Sequence, residues 1–349
     1  MASPTLSICI ATYNRADYIG QTLDSILPQL TDDVEVVVVD GASTDGTREV
    51  LERYAAGCPS LRYVRLQEKG GVDKDFCQAV EHARGEYCWL FADDDLVKPG
   101  AVRRLLEELA GGHSLVIVNS EVMDRDLSAL LRASLLDIRE DETYGPGDLE
   151  GLFRRIVPTV SFIGCVVIRR QTWLERDAAP YLGTEFVHVG VIFQAPLPGS
   201  ARVIRQPCVS IRYGNAQWLP RAFEIWMVAW PRLIGSLERI PAEVRRKRVK
   251  PEPWRRLRTL RLYRALGGYT PQMYEKIIAP SNASRPWKWA ARAISLLPQK
   301  AVNASMLWYY RTFRKRKLQL IYDLETSRRQ AVGRRSVVEG RGDKLDSPG

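Results

Sequence analysis

Apolar runs of strand length alternate with stretches whose apolar positions recur every three or four residues, and this rhythm holds from residue 6 to about residue 120. Leu6-Ser7-Ile8-Cys9-Ile10-Ala11 reads as a first strand, and Ile19, Leu23, Ile26 and Leu27 then follow helical spacing. Val34 to Val39 is β-branched and almost wholly apolar, the pattern of a strand covered on both faces. A helix is expected around Arg48–Ala55, a strand over Leu61–Leu66, a helix over Phe76–Ala83 and a strand over Tyr87–Phe91. Pro99 is placed to open a helix with Val102, Leu105, Leu106 and Leu109 on one face, and Ser114–Val118 is a fifth strand. Strands and helices in this alternation specify an α/β fold with a mostly parallel central sheet and helices on both faces.

In such sheets ligands bind beyond the carboxyl ends of the strands. The polar residues of this chain collect there: Thr12-Tyr13-Asn14-Arg15 after the first strand, Asp40 after the second and Asp93-Asp94-Asp95 after the fourth. Asn14 also reads as a helix cap. Three adjacent carboxylates repel one another and call for a counter-charge. A divalent metal with the diphosphate it carries would supply one, whereas a solvated acidic turn feeding the next helix is the plain structural alternative.

The second half is patterned differently. Residues 121–150 are polar and read as a surface excursion, Ser161–Ile168 as a strand, and Trp173 as the start of a short helix. Tyr181 to His188 leads into a further apolar helix. Ala201–Tyr213 has strand character, and Pro207 within it favours a sheet edge. After about residue 219 arginine mixes with apolar residues at helical spacing, and from Arg285 to Tyr322 there is no acidic residue. That segment holds Trp287, Trp289, Trp308, Tyr309, Tyr310 and the run Arg314-Lys315-Arg316-Lys317. Cationic helices with such an apolar face suit an anionic membrane surface, and a helical bundle with solvated basic faces fits the same composition. The polar tail from Ser327 is expected to be disordered.

Composition narrows the partners. The 349 residues suit one large domain or two smaller ones, and the formal charge of +10 directs attention to anionic ligands. The six cysteines lack CxxC spacing and mostly lie in apolar runs, as reduced core residues do. The chain opens without a basic region followed by a long apolar run, and no stretch approaches the roughly 20 apolar residues of a membrane span. A cytosolic location is therefore expected, and the sequons at Asn282 and Asn303 are then chance matches.

Ser7 to Arg15, then Val39-Asp40-Gly41-Ala42-Ser43-Thr44-Asp45-Gly46-Thr47, then Gly85-Glu86-Tyr87 ahead of Ala92-Asp93-Asp94-Asp95, resemble the family 2 glycosyltransferases of GT-A fold over residues 5–120. Gly71-Val72-Asp73-Lys74-Asp75-Phe76 and Gly214-Asn215-Ala216-Gln217-Trp218 are similar to bacterial O-antigen transferases of the abequosyltransferase type. The resemblance implies inverting transfer of a sugar from a nucleoside diphosphate donor to a hydroxyl of a glycan or polyprenyl-linked acceptor, at the cytoplasmic face of the membrane. It implies nucleotide-sugar contacts from Thr12, Tyr13, Asn14, Arg15, Asp40, Asp73, Lys74, Asp93 and Asp94. Asp95 and Asp93 would be ligands for Mg²⁺ or Mn²⁺, ions that hard oxygen donors select. Lys74 is equally readable as a surface lysine.

The family's acidic pair on the acceptor side is replaced here by Thr184-Glu185-Phe186-Val187-His188. Glu185 and His188 are the groups there able to accept a proton, and on a helix they would share a face. His188 is ranked first as base, oriented by Glu185; a buried structural histidine is the alternative. The domain organisation implied is a catalytic domain at 1–218 with a nucleotide-sugar half (1–120) and an acceptor half (121–218), a helical basic region at 219–326 and a tail at 327–349. A nucleic-acid-binding protein would suit the charge, but the basic region lacks a nucleic-acid motif and no nucleic acid is expected as partner. A nucleotidyltransferase would need a glycine-rich phosphate loop, which Ala11 to Arg15 is not. A catalytically silent scaffold fits poorly with an intact acidic triplet, and oligomerisation is left open.

Overall fold

The computed structural model describes residues 3–327. One sheet is built from β1 (Leu6–Thr12), β2 (Val34–Asp40), β3 (Leu61–Arg65), β4 (Tyr87–Phe91), β5 (Leu96–Val97), β6 (Leu115–Met123), β7 (Leu130–Arg132), β8 (Glu142–Tyr144), β9 (Val166–Arg169) and β10 (Ala201–Arg212). Their order is β3-β2-β1-β4-β9-β6-β10-β5, with β7 on β6 and β8 on β10. β1 pairs in parallel with β2 and β4, and β2 with β3. Every residue of β1, β2 and β4 is buried, as their unbroken apolar runs require. β9 runs against both β4 and β6, which returns β6 to the direction of β4, and β10 follows β6 in parallel. The carboxyl ends of β1, β2, β4, β6 and β10 therefore share one edge of the sheet.

The helices α1 (Ile19–Ile26), α2 (Thr47–Gly57), α3 (Val72–His82), α4 (Ala101–Leu109), α5 (Leu149–Ile156), α6 (Arg170–Leu174) and α7 (Val187–Phe193) connect and cover these strands. Several local expectations change. Asn14 caps no helix: α1 begins at Ile19, and Asn14 itself adopts a left-handed φ of 54°. α4 opens at Gly100, which takes φ 77°, rather than at Pro99. Trp173 lies near the end of its short helix, and the strand expected over Ser161–Ile168 is a 3-10 turn followed by β9.

Pro207 does not mark a sheet edge. β10 lies between β6 and the two short strands β8 and β5, which cover Ala201–Val203 and Val209–Ser210. Pro207 falls between those covers, at a double shift of register against β6, where a missing N–H breaks no ladder bond. Asn119 on β6 fills the irregularity: its Nδ2 donates to the Arg205 carbonyl at 2.7 Å, and its Oδ1 accepts from the Leu136 N–H at 2.9 Å.

The chain groups into two compact units: residues through Tyr213 with Ala229–Pro251, and Gly214–Val228 with the chain from Glu252 onward. The second unit is helical, including Leu257–Leu266, Arg285–Leu296 and Gln299–Phe313. It has its own core of Phe223, Trp254, Leu260, Tyr269, Ile278 and Ile294, and a smaller cluster of Ala265, Val302, Leu307 and Leu324. No helix among the described residues is long and apolar enough to cross a membrane. Of the tail expected to be disordered, residues 328–349 lie outside the described residues.

Candidate active site

The three polar strand ends meet. The Gly41 N–H donates to the Thr12 carbonyl at 2.9 Å, carrying the β1–β2 pairing past the sheet. The Asn14 N–H donates to Ser43 Oγ at 2.9 Å, Asn14 Oδ1 accepts from the Thr44 N–H at 2.8 Å, and the Arg15 N–H donates to Thr47 Oγ1 at 2.8 Å. Asn14 thus cross-links two loops, which explains the left-handed backbone it adopts. Asp40 is fully buried; its Oδ1 accepts from the Ser43 N–H at 2.8 Å and its Oδ2 from the Tyr63 hydroxyl at 2.9 Å. The Lys69 ammonium sits 3.8 Å over the Tyr13 ring.

The acidic triplet is buried rather than a solvated turn. Arg15 answers two of its members, Nε lying 3.3 Å from Asp93 Oδ1 and Nη2 3.3 Å from Asp94 Oδ2. Asp95 Oδ1 accepts from the Arg212 N–H at 2.7 Å, and Arg212 Nε donates to the Asp94 carbonyl at 2.9 Å. Two guanidinium groups, Arg15 and Arg212, thus lie against three adjacent carboxylates. Burial, the neighbouring Asp94 charge adding to it and Arg15 opposing, pushes Asp93 up to about 7. Burial and Asp94 likewise hold Asp95 well above the carboxylate range. Among the described residues no group of three or more His, Cys, Asp or Glu side chains could hold a metal by itself. A hard divalent ion bound through one or two carboxylates and substrate phosphates needs no such cage. Buried carboxyl oxygens at this edge, raised in pKa by burial and by one another, fit that kind of ion.

The acceptor-side expectations divide. Asp73 sits buried on α3, its Oδ2 accepting from the Glu185 N–H at 2.9 Å and its Oδ1 from the Val187 N–H at 3.0 Å. Both oxygens accept from the turn that opens α7, so Asp73 anchors that turn. Glu185 precedes α7 and holds a left-handed φ of 70°. Strained backbone of this kind persists where the surroundings over-determine it, and Asp73 supplies the determination. Because Glu185 lies outside the helix, it shares no helical face with His188. His188 is 1% exposed, its Nε2 lies 2.7 Å from the Val160 carbonyl, and burial lowers its pKa to about 4. That is a core histidine with no route to an acceptor hydroxyl, which corrects its ranking as base. Lys74 is exposed, as its surface reading allowed.

Two contributors are not visible in the chain's local pattern. Arg212, at the end of β10, reaches the triplet across 117 positions of sequence, and its Nη2 also donates to Gln21 Oε1 at 2.6 Å. Asp75 is buried on α3 with Oδ1 lacking a hydrogen-bond partner. A Cβ at Gly41 would stand 2.8 Å from its Oδ2, and one at Gly70 2.7 Å from its Oδ1, so two glycines make room for this carboxylate. Burial raises it to about 6 against the pull of Lys74 and Lys69. In the sequence Asp73-Lys74-Asp75, local pattern gives no reason to single out Asp75, because its room comes from Gly41 and Gly70 rather than from its own helix.

The mostly parallel sheet with its covering helices is GT-A-like, and a known structure shares the fold. The crystal structure of S. aureus TarS 1–349 superposes with a TM-score of 0.53 at 16% identity, covering 94% of this chain and 92% of that one. Residues 7–176 match the model of glycosyl transferase family 2 and form a domain of that family. Among relatives, the abequosyltransferase RfbV of Salmonella typhimurium strain LT2 is 29% identical over 225 residues, 60% of this chain and 67% of that protein. The putative teichuronic acid biosynthesis glycosyltransferase TuaG of Bacillus subtilis strain 168 is 31% identical over 134 residues, 36% of this chain and 53% of that protein. The matched region thus spans two thirds of the first relative and about half of the second.

Proposed function

We propose that the protein transfers a sugar from a nucleoside diphosphate donor to a hydroxyl of a glycan or polyprenyl-linked acceptor in bacterial surface polysaccharide synthesis. The observation that carries this reading is the convergence of Thr12 to Arg15, Asp40 and the buried Asp93-Asp94-Asp95 at one sheet edge, with Arg15 spanning two of the carboxylates. The relatives' names, an abequosyltransferase and a teichuronic acid glycosyltransferase, support the pathway class. TarS has been solved with UDP-GlcNAc, in keeping with a nucleotide-sugar donor. With such an acceptor the enzyme works in the cytoplasm, at the inner face of the cell membrane. In this reading residues 1–120 are the donor half and 121–218 the acceptor half of the catalytic domain.

In the reaction the anomeric carbon loses its bond to the diphosphate, which departs with the electron pair, while the acceptor oxygen attacks from the opposite face and inverts the centre. Glu185 takes the proton from that hydroxyl; its position is held by Asp73 through the backbone amides at both sides of Phe186. Asp40 and the loop Thr12 to Arg15 bind the nucleoside, and Arg15 keeps the carboxylate cluster assembled. Asp95 and Asp93 would hold Mg²⁺ or Mn²⁺, which when bound would offset the negative charge that builds on the diphosphate.

The test separates binding from chemistry. Glu185→Gln lowers the transfer rate by about 10²–10⁴-fold, the usual share of a general base, and leaves the donor's thermal stabilisation intact. Asp95→Asn removes both transfer and the metal-dependent part of that stabilisation. Full transfer by Asp95→Asn would remove the metal assignment, and full transfer by Glu185→Gln would remove the base.

A further inference from the structure

The helices Arg285–Leu296 and Gln299–Phe313 both pack on Leu257–Leu266 within the second unit. Their buried positions include Ala291, Ile294, Val302 and Leu307. On the first helix the exposed positions Arg285, Trp289, Arg292, Ala293 and Leu296 recur every three or four residues, so they form one outward face. A solvated face at that spacing would be polar. Here Trp289 is 77% and Leu296 64% exposed. The second helix repeats the arrangement: Trp308 is 65% and Phe313 62% exposed, their ring centroids 5.7 Å apart.

Charge identifies what covers these faces. Residues 285–322 contain nine Lys and Arg and no Asp or Glu. Arg285, Arg292, Lys300 and Arg314 through Lys317 have no acidic partner among the described residues, whereas Arg311 pairs with Glu325. Exposed indole and phenyl rings set among unpaired cations match the boundary between acyl chains and anionic headgroups, where aromatic side chains partition and basic ones meet lipid phosphate. Nucleic acid would account for the cations but leave outward leucine without a role.

We propose that the outward faces of Arg285–Leu296 and Gln299–Phe313, with the run Arg314 to Lys317, dock the protein on an anionic phospholipid surface through Trp289, Leu296, Trp308 and Phe313. The docking takes its purpose from the polyprenyl-linked acceptor proposed above, yet it is measured without turnover. Transfer to a water-soluble acceptor tests that other reading separately.

The experiment is cosedimentation of the full chain with vesicles of phosphatidylcholine alone or with a third phosphatidylglycerol. Binding is expected to the mixed vesicles and to fall steeply with added salt. Trp289→Ser with Trp308→Ser and Phe313→Ser should weaken it at least tenfold. Replacing Arg314, Lys315, Arg316 and Lys317 by Gln should weaken it at least as much, since each basic residue near the surface contributes about fivefold. All of these side chains are exposed, so both variants should keep the unfolding midpoint of the parent. Parent-like binding by the aromatic variant overturns the proposal, as does failure of the parent to bind mixed vesicles. Tight binding to a single-stranded oligonucleotide that the aromatic variant retains, with no vesicle binding, would instead make this a nucleic-acid surface.

Discussion

His188 and Glu185 stand three residues apart in sequence, one in the core and the other half-buried in the turn before α7, and backbone geometry makes the difference. The left-handed Glu185 turns the chain before α7 begins, so the next residues enter the helix with His188 pointing into the core. His188 keeps its neutral form to about pH 4, against about 6.5 in an unfolded chain. Above 6.5 both states are neutral; as pH falls towards 4 the unfolded chain takes a proton the core refuses, and stability is lost. His188→Gln should remove that acid sensitivity, cost about 2 kcal/mol at pH 7.5 by breaking the bond to Val160, and keep transfer within about fivefold of the parent. Denaturant titrations at pH 5 and 7.5 beside an activity assay decide it; a loss of transfer without a loss of stability would restore His188 as base. Asp75 has the opposite sign. Its carboxyl is raised to about 6, so stability falls as pH climbs from about 4 to 6 and stays reduced above that. Asp75→Asn should match the parent at pH 4 and exceed it by about 1 kcal/mol at pH 8, and identical pH–stability curves for the two proteins would show that Asp75 carries no such strain.

At the scale of elements, what could be read in advance was what local pattern controls. β1, β2 and β4 are covered on both faces, so their apolar runs announced them, and parallel pairing put Thr12, Asp40 and Asp93 at one edge. Asp95's partner was not legible, because the Arg212 N–H arrives from β10 only after the antiparallel β9 has turned the sheet's direction twice. Pro207 misled because its tolerance depends on β5 and β8 stopping short of it, which no property of β10 reveals. Glu35 is a further exception inside the run that defines β2. It is buried, and burial alone would raise its pKa, but Ser7 Oγ at 2.7 Å and the Arg84 N–H at 2.6 Å outweigh that and lower it. This carboxylate ties β1, β2 and the turn before β4 together. Glu35→Gln keeps the shape and loses the charge-assisted bonds from Ser7 and the Arg84 N–H, and should cost about 2 kcal/mol at pH 7. The stabilisation depends on the ionised form, so it is lost as pH falls through the lowered pKa, and parent and variant should converge under acid conditions. A constant difference across pH would assign the effect to packing instead.

At the scale of the whole molecule, two units with separate cores divide two kinds of recognition between them. The first unit gathers buried carboxylates around a sheet edge, a site for a compact, highly charged ligand. The second presents outward aromatics and unpaired cations, a surface for an extended anionic layer. Ligand binding stabilises whatever structure it requires, by about 2.7 kcal/mol when the free ligand stands a hundredfold above its dissociation constant. Amide exchange reports where that stabilisation falls. Adding nucleotide sugar with Mn²⁺ should slow exchange in the segments around Thr12 to Arg15, Asp40 to Thr47 and Asp93 to Leu96, because the amides of Gly41, Asn14, Thr44 and Arg15 form the loop network at that edge. Vesicles containing phosphatidylglycerol should slow it in residues 285–317. Each ligand supplied alone gives its own map, and Asp95→Asn should erase the first map while leaving the second. If donor and metal gave no protection at the sheet edge, the catalytic assignment would fall while the lipid-facing surface stood; if vesicles protected only the first unit, the reverse would hold.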